Sequence, residues 1–93
     1  MRKTEYTKKF RRDYKREKSG KHSKRIDLEL MAIVNLLASD SPLARRNVDH
    51  QLSGNWNDHR DCHIFPDLVL IYRKPKDNTL ELVRMGSHSE LGI

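Results

Sequence analysis

Ile26, Leu30, Ile33 and Leu37 stand at i, i+4, i+7 and i+11, with Val34 beside them. That spacing lays an apolar stripe along a helix from about Ser23 to Ala38, and Leu28 and Met31 are expected to widen it. A helix with one apolar stripe needs a second layer to cover it. The second half of the chain supplies that layer by changing period. Residues 69–73, within DLVLIYRK, form a buried-strand run. Residues 79–85 alternate, with Leu80, Leu82 and Arg84 expected on one face and Glu81 and Val83 on the other. Pro75, Lys76, Asp77 and Asn78 between these runs spell a hairpin turn. Residues 56–65 also alternate, although their polar face is unusually ionic, and Pro66 and Asp67 turn the chain into the next run.

Upstream of the stripe, residues 2–6 can form a short strand with Thr4 and Tyr6 on one face. Thr7 is an N-cap for a helix reaching about Lys18, in which Phe10 and Tyr14 share a face. Lys8, Lys9, Arg11, Arg12, Lys15 and Arg16 cover the rest of that helix. Ser19 and Gly20 end it, and the short connection implies an antiparallel helical hairpin. Asp40, Ser41 and Pro42 end the second helix, leaving residues 43–48, with Arg45 and Arg46, as a connecting loop. The order is β-α-α-β-β-β. That predicts one α+β domain over residues 1–93, with an N-terminal strand and helical hairpin packed on one face of an antiparallel β-sheet.

Hydrophobic residues make up 35% of the chain and charged residues 34%. Such a thin core is expected to lean on a partner for part of its burial. Between Met1 and Arg25 there are twelve Lys/Arg against three Asp/Glu, and from Ile26 onward seven against ten. A basic arm on a near-neutral body suits a polyanion, because phosphate neutralisation supplies most non-specific nucleic-acid affinity. A solvated helix, or one that pairs with an acidic protein, is the plainer alternative. The single cysteine, Cys62, excludes an intramolecular disulfide and points to a reducing compartment. The N-terminus MRKTEYTKKFRRDYK has no apolar segment of the signal-peptide kind, and no run approaches the roughly 18 apolar residues of a membrane span. A small cytoplasmic protein without membrane attachment is the expectation.

Residues 49–67, DHQLSGNWNDHRDCHIFPD, hold three of the five histidines and the only Trp and Cys. So many titratable groups make poor core material and good acid–base material. In an extended segment His59, Asp61 and His63 share one face. Asp61 is placed to orient or charge-stabilise an imidazole, Asp67 sits just past the turn, and His50 can fold over the same sheet. His88, in RMGSHSEL, follows the last strand and can return to the same edge. RNA phosphodiester cleavage needs such a set: a base for the 2′-OH, an acid for the leaving 5′-oxygen, and cations such as Arg60 or Arg84 for the crowded phosphorane. His59, Asp61 and His63 could instead offer two imidazoles and a carboxylate to a metal, but no HExxH or CxxC pattern supports that, and no metal or other cofactor is expected. Cys62 reads as a small buried apolar residue and Trp56 as a packing anchor.

These residues resemble the YafQ-type toxin family, within the RelE/ParE superfamily of bacterial type II toxin–antitoxin modules. The resemblance rests on DH-x-L-x-G-x-W at Asp49–Trp56, RD-x-H at Arg60–His63, PD-x-x-LIY at Pro66–Tyr72 and G-[ST]-H at Gly86–His88. It covers residues 49–91 closely; the basic hairpin matches only in type. It implies a RelE-like α+β fold and a ribosome-dependent endoribonuclease that cuts mRNA in the ribosomal A site and so inhibits translation. The implied partners are the 70S ribosome with its mRNA and a cognate antitoxin, with operator DNA bound only through the antitoxin. Position by position, the implied catalytic set is His50, Asp61, His63, Asp67 and His88, and His59 lies where the family pattern does not demand histidine. His50 or His63 is expected as base, oriented by Asp61 or Asp67, with His88 as acid. Lys8, Lys9, Arg11, Arg12, Lys15, Arg16, Arg60 and Arg84 are the expected RNA- or ribosome-facing cations. Members of the family commonly end in Leu-Phe after the terminal histidine, whereas here Leu91 is followed by Gly92 and Ile93. Two other classes compete: a ParE-like toxin that binds DNA gyrase, and a non-catalytic module that binds ribosome or antitoxin.

Overall fold

The computed structural model describes residues 1–93. Strand β1 (Lys3–Tyr6) leads into helix α1 (Lys8–Lys18), whose first turn is capped by the Thr7 hydroxyl accepting from the Phe10 amide at 2.9 Å. Helix α2 (Ile26–Ala38) follows, then β2 (His50–Gln51), β3 (Arg60–Phe65), β4 (Leu68–Arg73), β5 (Thr79–Gly86) and the short helix α3 (His88–Leu91). The sheet order is β1-β5-β4-β3-β2. The β2–β3, β3–β4 and β4–β5 pairs are antiparallel, but β1 runs parallel to β5. The expected α+β layering is therefore present, with a mixed sheet instead of a purely antiparallel one.

Phe10, Ile26, Leu30, Ile33 and Leu37 pack from the helices onto Cys62, Leu70, Tyr72, Leu80, Leu82 and Met85 of the sheet. Each such large side chain contributes about 1.5–3 kcal/mol on full burial. The opposite sheet face carries a smaller cluster of Val69, Ile71 and Leu91, flanked by Leu52, Trp56, Val83 and Ile93. With apolar groups on both sides, β4 is a continuous buried run from Leu68 to Tyr72.

Several boundaries differ from the sequence expectation, each for a local reason. Helix α2 starts at Ile26, because the His22 carbonyl already accepts from the amides of Arg25 and Ile26 and closes residues 21–25 into turns. Leu28 and Met31 do not widen the core stripe; they are 72% and 60% exposed on the outer side of α2. Residues 54–56 form a 3-10 turn, so β3 begins only at Arg60. In β5, Leu82 pairs with Tyr72 and Arg84 with Ile71, which leaves Val83 as an extra residue. Past that bulge Met85, not Arg84, joins Leu80 and Leu82 in the main core. Helix α3 was not expected; its capping box joins the Ser87 hydroxyl to the Glu90 amide and the Glu90 carboxylate to the Ser87 amide.

Where β1 ends, α1 takes over the edge of β5. The Thr7 amide donates to the Leu82 carbonyl and its hydroxyl to the Val83 carbonyl. The Asp13 carboxylate accepts from the Met85 amide at 3.0 Å, and Arg16 donates to the Met85 carbonyl at 2.9 Å. Backbone groups that would otherwise template aggregation are thus consumed by a helix. Gly86 sits at this crossing, where a β-carbon would come within 3.1 Å of Arg16 Nη2 and 3.2 Å of Glu90 Oε1. Both atoms are the tips of long side chains, so a methyl group there would need a shift of only a few tenths of an ångström; α3 follows directly and sets His88 over the sheet.

Candidate active site

Register brings the site together. His50 of β2 lies directly opposite Asp61 of β3, and His63, two residues further along, projects from the same face. The turn after β5 returns His88 to this face, where its Nε2 lies 3.3 Å from Nε2 of His63. The two rings sit 5.1 Å apart, centre to centre. Four of the five expected catalytic residues are therefore gathered.

Hydrogen bonds decide the imidazole tautomers. The Pro66 carbonyl, 3.3 Å from His63 Nδ1, can only accept, so that nitrogen carries a proton. A neutral His63 then offers the lone pair of Nε2, and His88 Nε2 must carry the proton between them. The pair is one base and one acid facing each other. His50 is held in the same way, its Nδ1 donating to the Val48 carbonyl at 3.0 Å, which leaves its Nε2 free.

Asp61 lies beneath these rings and is fully buried. Its Oδ1 is 2.9 Å from His50 Nδ1, yet neither carboxylate oxygen has a partner at hydrogen-bonding angles. Burial pushes its carboxyl above the ordinary aspartate range, against the opposing pull of His50, His88 and His63. An anion left in that state favours any step that puts positive charge on the imidazoles above it.

Asp67 is placed differently. It lies beyond the β3–β4 turn and faces the α1–α2 connection, where Lys21 pairs with one oxygen and His22 Nε2 sits 2.8 Å from the other. Lys21 and then His22 hold its carboxyl down to about 2. Its tie to the histidine pair runs through the neighbouring Pro66 carbonyl. His22 is the residue that sequence reasoning missed; a lone histidine in KHSKR has no spacing that marks it.

The remaining candidates separate by their partners. His59 packs edge-on against Trp56 at 5.0 Å, and Trp56 packs in the cluster beside the site. Cys62 is buried on the helix side of the sheet, and its burial pushes the thiol well above its ordinary value. Arg84 is turned onto Asp13, with Nε 2.6 Å from its Oδ2, and Arg16 is divided among Asp13, Glu17, Glu90 and the Met85 carbonyl. Both are held by structural pairs, unlike the phosphate-facing cations expected from sequence. Arg60 donates to Asp49, which also accepts from the Tyr72 hydroxyl at 2.5 Å. Lys8, Lys9, Arg11, Arg12 and Lys15 are exposed. Ile93, which stands where an aromatic was expected, packs against the Val69, Ile71 and Leu91 cluster, and its amide donates to the His88 carbonyl.

The chain is similar to proteins of known class along its whole length. The family described as "Bacterial toxin of type II toxin-antitoxin system, YafQ" matches residues 2–92. The mRNA interferase toxin YafQ of Escherichia coli K12 is 36% identical over 81% of this chain and 91% of its own. A copper-bound mutant toxin from Helicobacter pylori superposes with a TM-score of 0.83 at 36% identity, covering 98% of this chain and 99% of that one. YafQ in the Escherichia coli DinJ–YafQ complex superposes with a TM-score of 0.77 at 31% identity, covering 98% of each chain. No three histidine, cysteine or carboxylate side chains come together here in an arrangement that would hold a metal ion. The register that sets His50 against Asp61, and the turn that returns His88 to His63, are thus features of a chain that belongs to the YafQ family of type II toxin–antitoxin toxins.

Proposed function

We propose that residues 1–93 act as a single toxin domain that cleaves mRNA on the ribosome and so inhibits translation. The observation that carries this reading is the 3.3 Å approach of His63 Nε2 to His88 Nε2 above the unpartnered carboxylate of Asp61. Transesterification needs one group to take a proton and another to give one. His63 Nε2, with Nδ1–H held by Pro66, takes the proton of the 2′-OH. The 2′-oxygen attacks phosphorus, the P–O5′ bond breaks, and His88 delivers its proton to the departing 5′-oxygen. The products are a 2′,3′-cyclic phosphate and a 5′-OH. Asp61 stabilises the imidazolium that forms on His63, and His50 adds a cation beside the phosphorane when protonated. The residues require no metal for these steps.

The exposed cations Lys8, Lys9, Arg11, Arg12 and Lys15, with Arg60, supply the surface for RNA or ribosome. A cognate antitoxin binds and silences the toxin, a reading supported by the complex that the Escherichia coli relative forms with DinJ, and operator DNA is bound through that antitoxin. The action belongs in the cytoplasm, where translating ribosomes are; no helix here is long and apolar enough to cross a membrane.

Primer extension on an mRNA translated in a reconstituted system tests this. Cuts should appear only with ribosomes present and should end in 2′,3′-cyclic phosphate. His88→Ala and His63→Ala should each lower cleavage at least on the order of a hundredfold while leaving folding and antitoxin binding intact. Undiminished cleavage by either variant would sink the assignment, and a supercoiling defect without RNA cuts would move the protein to the gyrase-binding class.

A further inference from the structure

We propose that His22 is a positioning residue for cleavage: it grips both flanks of Pro66 and so holds the carbonyl that orients His63. This rests on the ribonuclease reading above and adds a residue to it. The His22 ring lies flat on Phe65, centroids 3.9 Å apart and planes 1° from parallel. Its Nε2 is 2.8 Å from Asp67 Oδ1. Phe65 and Asp67 are the two neighbours of Pro66, so one imidazole holds the turn from both sides. The Pro66 carbonyl in turn fixes the Nδ1–H of His63 and leaves its Nε2 as the base.

The turn needs such a clamp. The β3–β4 register slips between His63 and Phe65, so the ladder that would keep this strand end straight is interrupted just where His63 must be aimed. The backbone of His63 is tied from the other direction, its carbonyl accepting from Asn47 Nδ2 at 2.7 Å. His22 is itself anchored. Its carbonyl accepts from the amides of Arg25 (3.1 Å) and Ile26 (2.9 Å), and Ile26 is fully buried in the main core. The other charged groups around the clamp reinforce it. Lys21 neutralises the second oxygen of Asp67, and the Arg25 guanidinium covers Phe65 at 5.8 Å while paired with Glu29. The side chain of His22 is 19% exposed, so it belongs to the packed body of the protein and not to its solvated cationic rim.

Three variants separate its two grips. His22→Ala removes both, His22→Gln keeps a donor for Asp67, and His22→Phe keeps the stack on Phe65. Cleavage kinetics on programmed ribosomes should show kcat lowered roughly ten- to a hundredfold in His22→Ala, the scale of a misaligned reacting group, with KM little changed. His22→Gln should recover most of that loss and His22→Phe only part of it. Long-range proton–nitrogen NMR of the free toxin should show His63 as the Nδ1–H tautomer in the wild type and as a mixture in His22→Ala. A wild-type kcat in His22→Ala, a loss confined to KM, or an unchanged His63 tautomer would each overturn the proposal. Should His22→Ala fail to fold, the comparison of Gln with Phe carries the test, and Gln no better than Phe overturns it. The NMR arm does not depend on activity: a wild type that does not cut RNA defeats the ribonuclease reading, while the tautomers still decide whether His22 holds the turn.

Discussion

Two aspartates are buried in this small domain, and they are treated in opposite ways. Asp13 is 1% exposed and Asp61 is 0% exposed. Asp13 accepts from Arg84 Nε (2.6 Å), Arg84 Nη2 (3.2 Å), Arg16 Nη1 (3.2 Å) and the Met85 amide (3.0 Å). Burial works to raise its carboxyl, but these four donors overcome it and leave the group below the ordinary range. Asp61 has no donor at a proper angle, and burial raises it. A buried anion that stabilises a fold is fully paired; one left unpaired costs stability and persists where chemistry uses the charge. Asp13 stitches α1 to the edge of β5, whereas Asp61 waits beneath three imidazoles.

Breaking Asp13 should have the largest effect. Asp13→Ala leaves the Arg84 guanidinium and the Met85 amide without their acceptor, and should lower unfolding stability by about 3–5 kcal/mol in denaturant titration. The equivalent change beneath the histidines should act on rate instead. Asp61→Asn should lower kcat for mRNA cleavage on the order of a hundredfold, because the imidazolium loses its counter-charge. Its stability should stay within about 1 kcal/mol of the wild type or rise, since the buried anion it removes accepts no hydrogen bond. A destabilisation of Asp61→Asn matching that of Asp13→Ala would erase the distinction.

The same contrast explains which parts were legible in the sequence. The stripe of Ile26, Leu30, Ile33 and Leu37 and the run 69–73 announce their elements, because burial on one helix face or in a central strand imposes a period. Leu28 and Met31 mislead, since an exposed apolar residue beside such a stripe looks like its margin. Asp61 and His63 alternate within one strand, so their shared face is readable. The opposition of His50 and Asp61 is not, because a two-residue strand has no period and its register depends on the loop before it. Asp13 is hidden among basic residues in a helix whose polar face looks solvated; its partner Arg84 lies 71 positions away. His22 is hidden in the same way, 45 positions from Asp67. The Leu80, Leu82, Arg84 alternation fails at the Val83 bulge, which no local pattern marks. Helix α3 was not read from the sequence, because four residues are too few to show helical periodicity.

The smallest expected effect is the sharpest test, because the two aspartates should bend the pH dependence of stability in opposite directions. A carboxyl whose folded pKa lies below its unfolded value contributes stability that is complete above the ordinary range near 3.9 and is lost as pH falls through the folded value. Asp13 is of that kind. A carboxyl whose folded pKa is raised imposes its cost in full above that folded value, and the cost is relieved as pH falls toward the ordinary range. Asp61 is of that kind. Urea titrations at stepped pH should therefore show the wild type losing stability relative to Asp13→Asn below the ordinary aspartate range. Above that range, acidification should make the wild type gain relative to Asp61→Asn. The Asp61 difference should be modest, because the attraction of His50, His88 and His63 offsets part of the burial. If both differences moved in the same direction on acidification, Asp61 would be a paired carboxylate like Asp13, and the imidazolium formed on His63 would need another counter-charge.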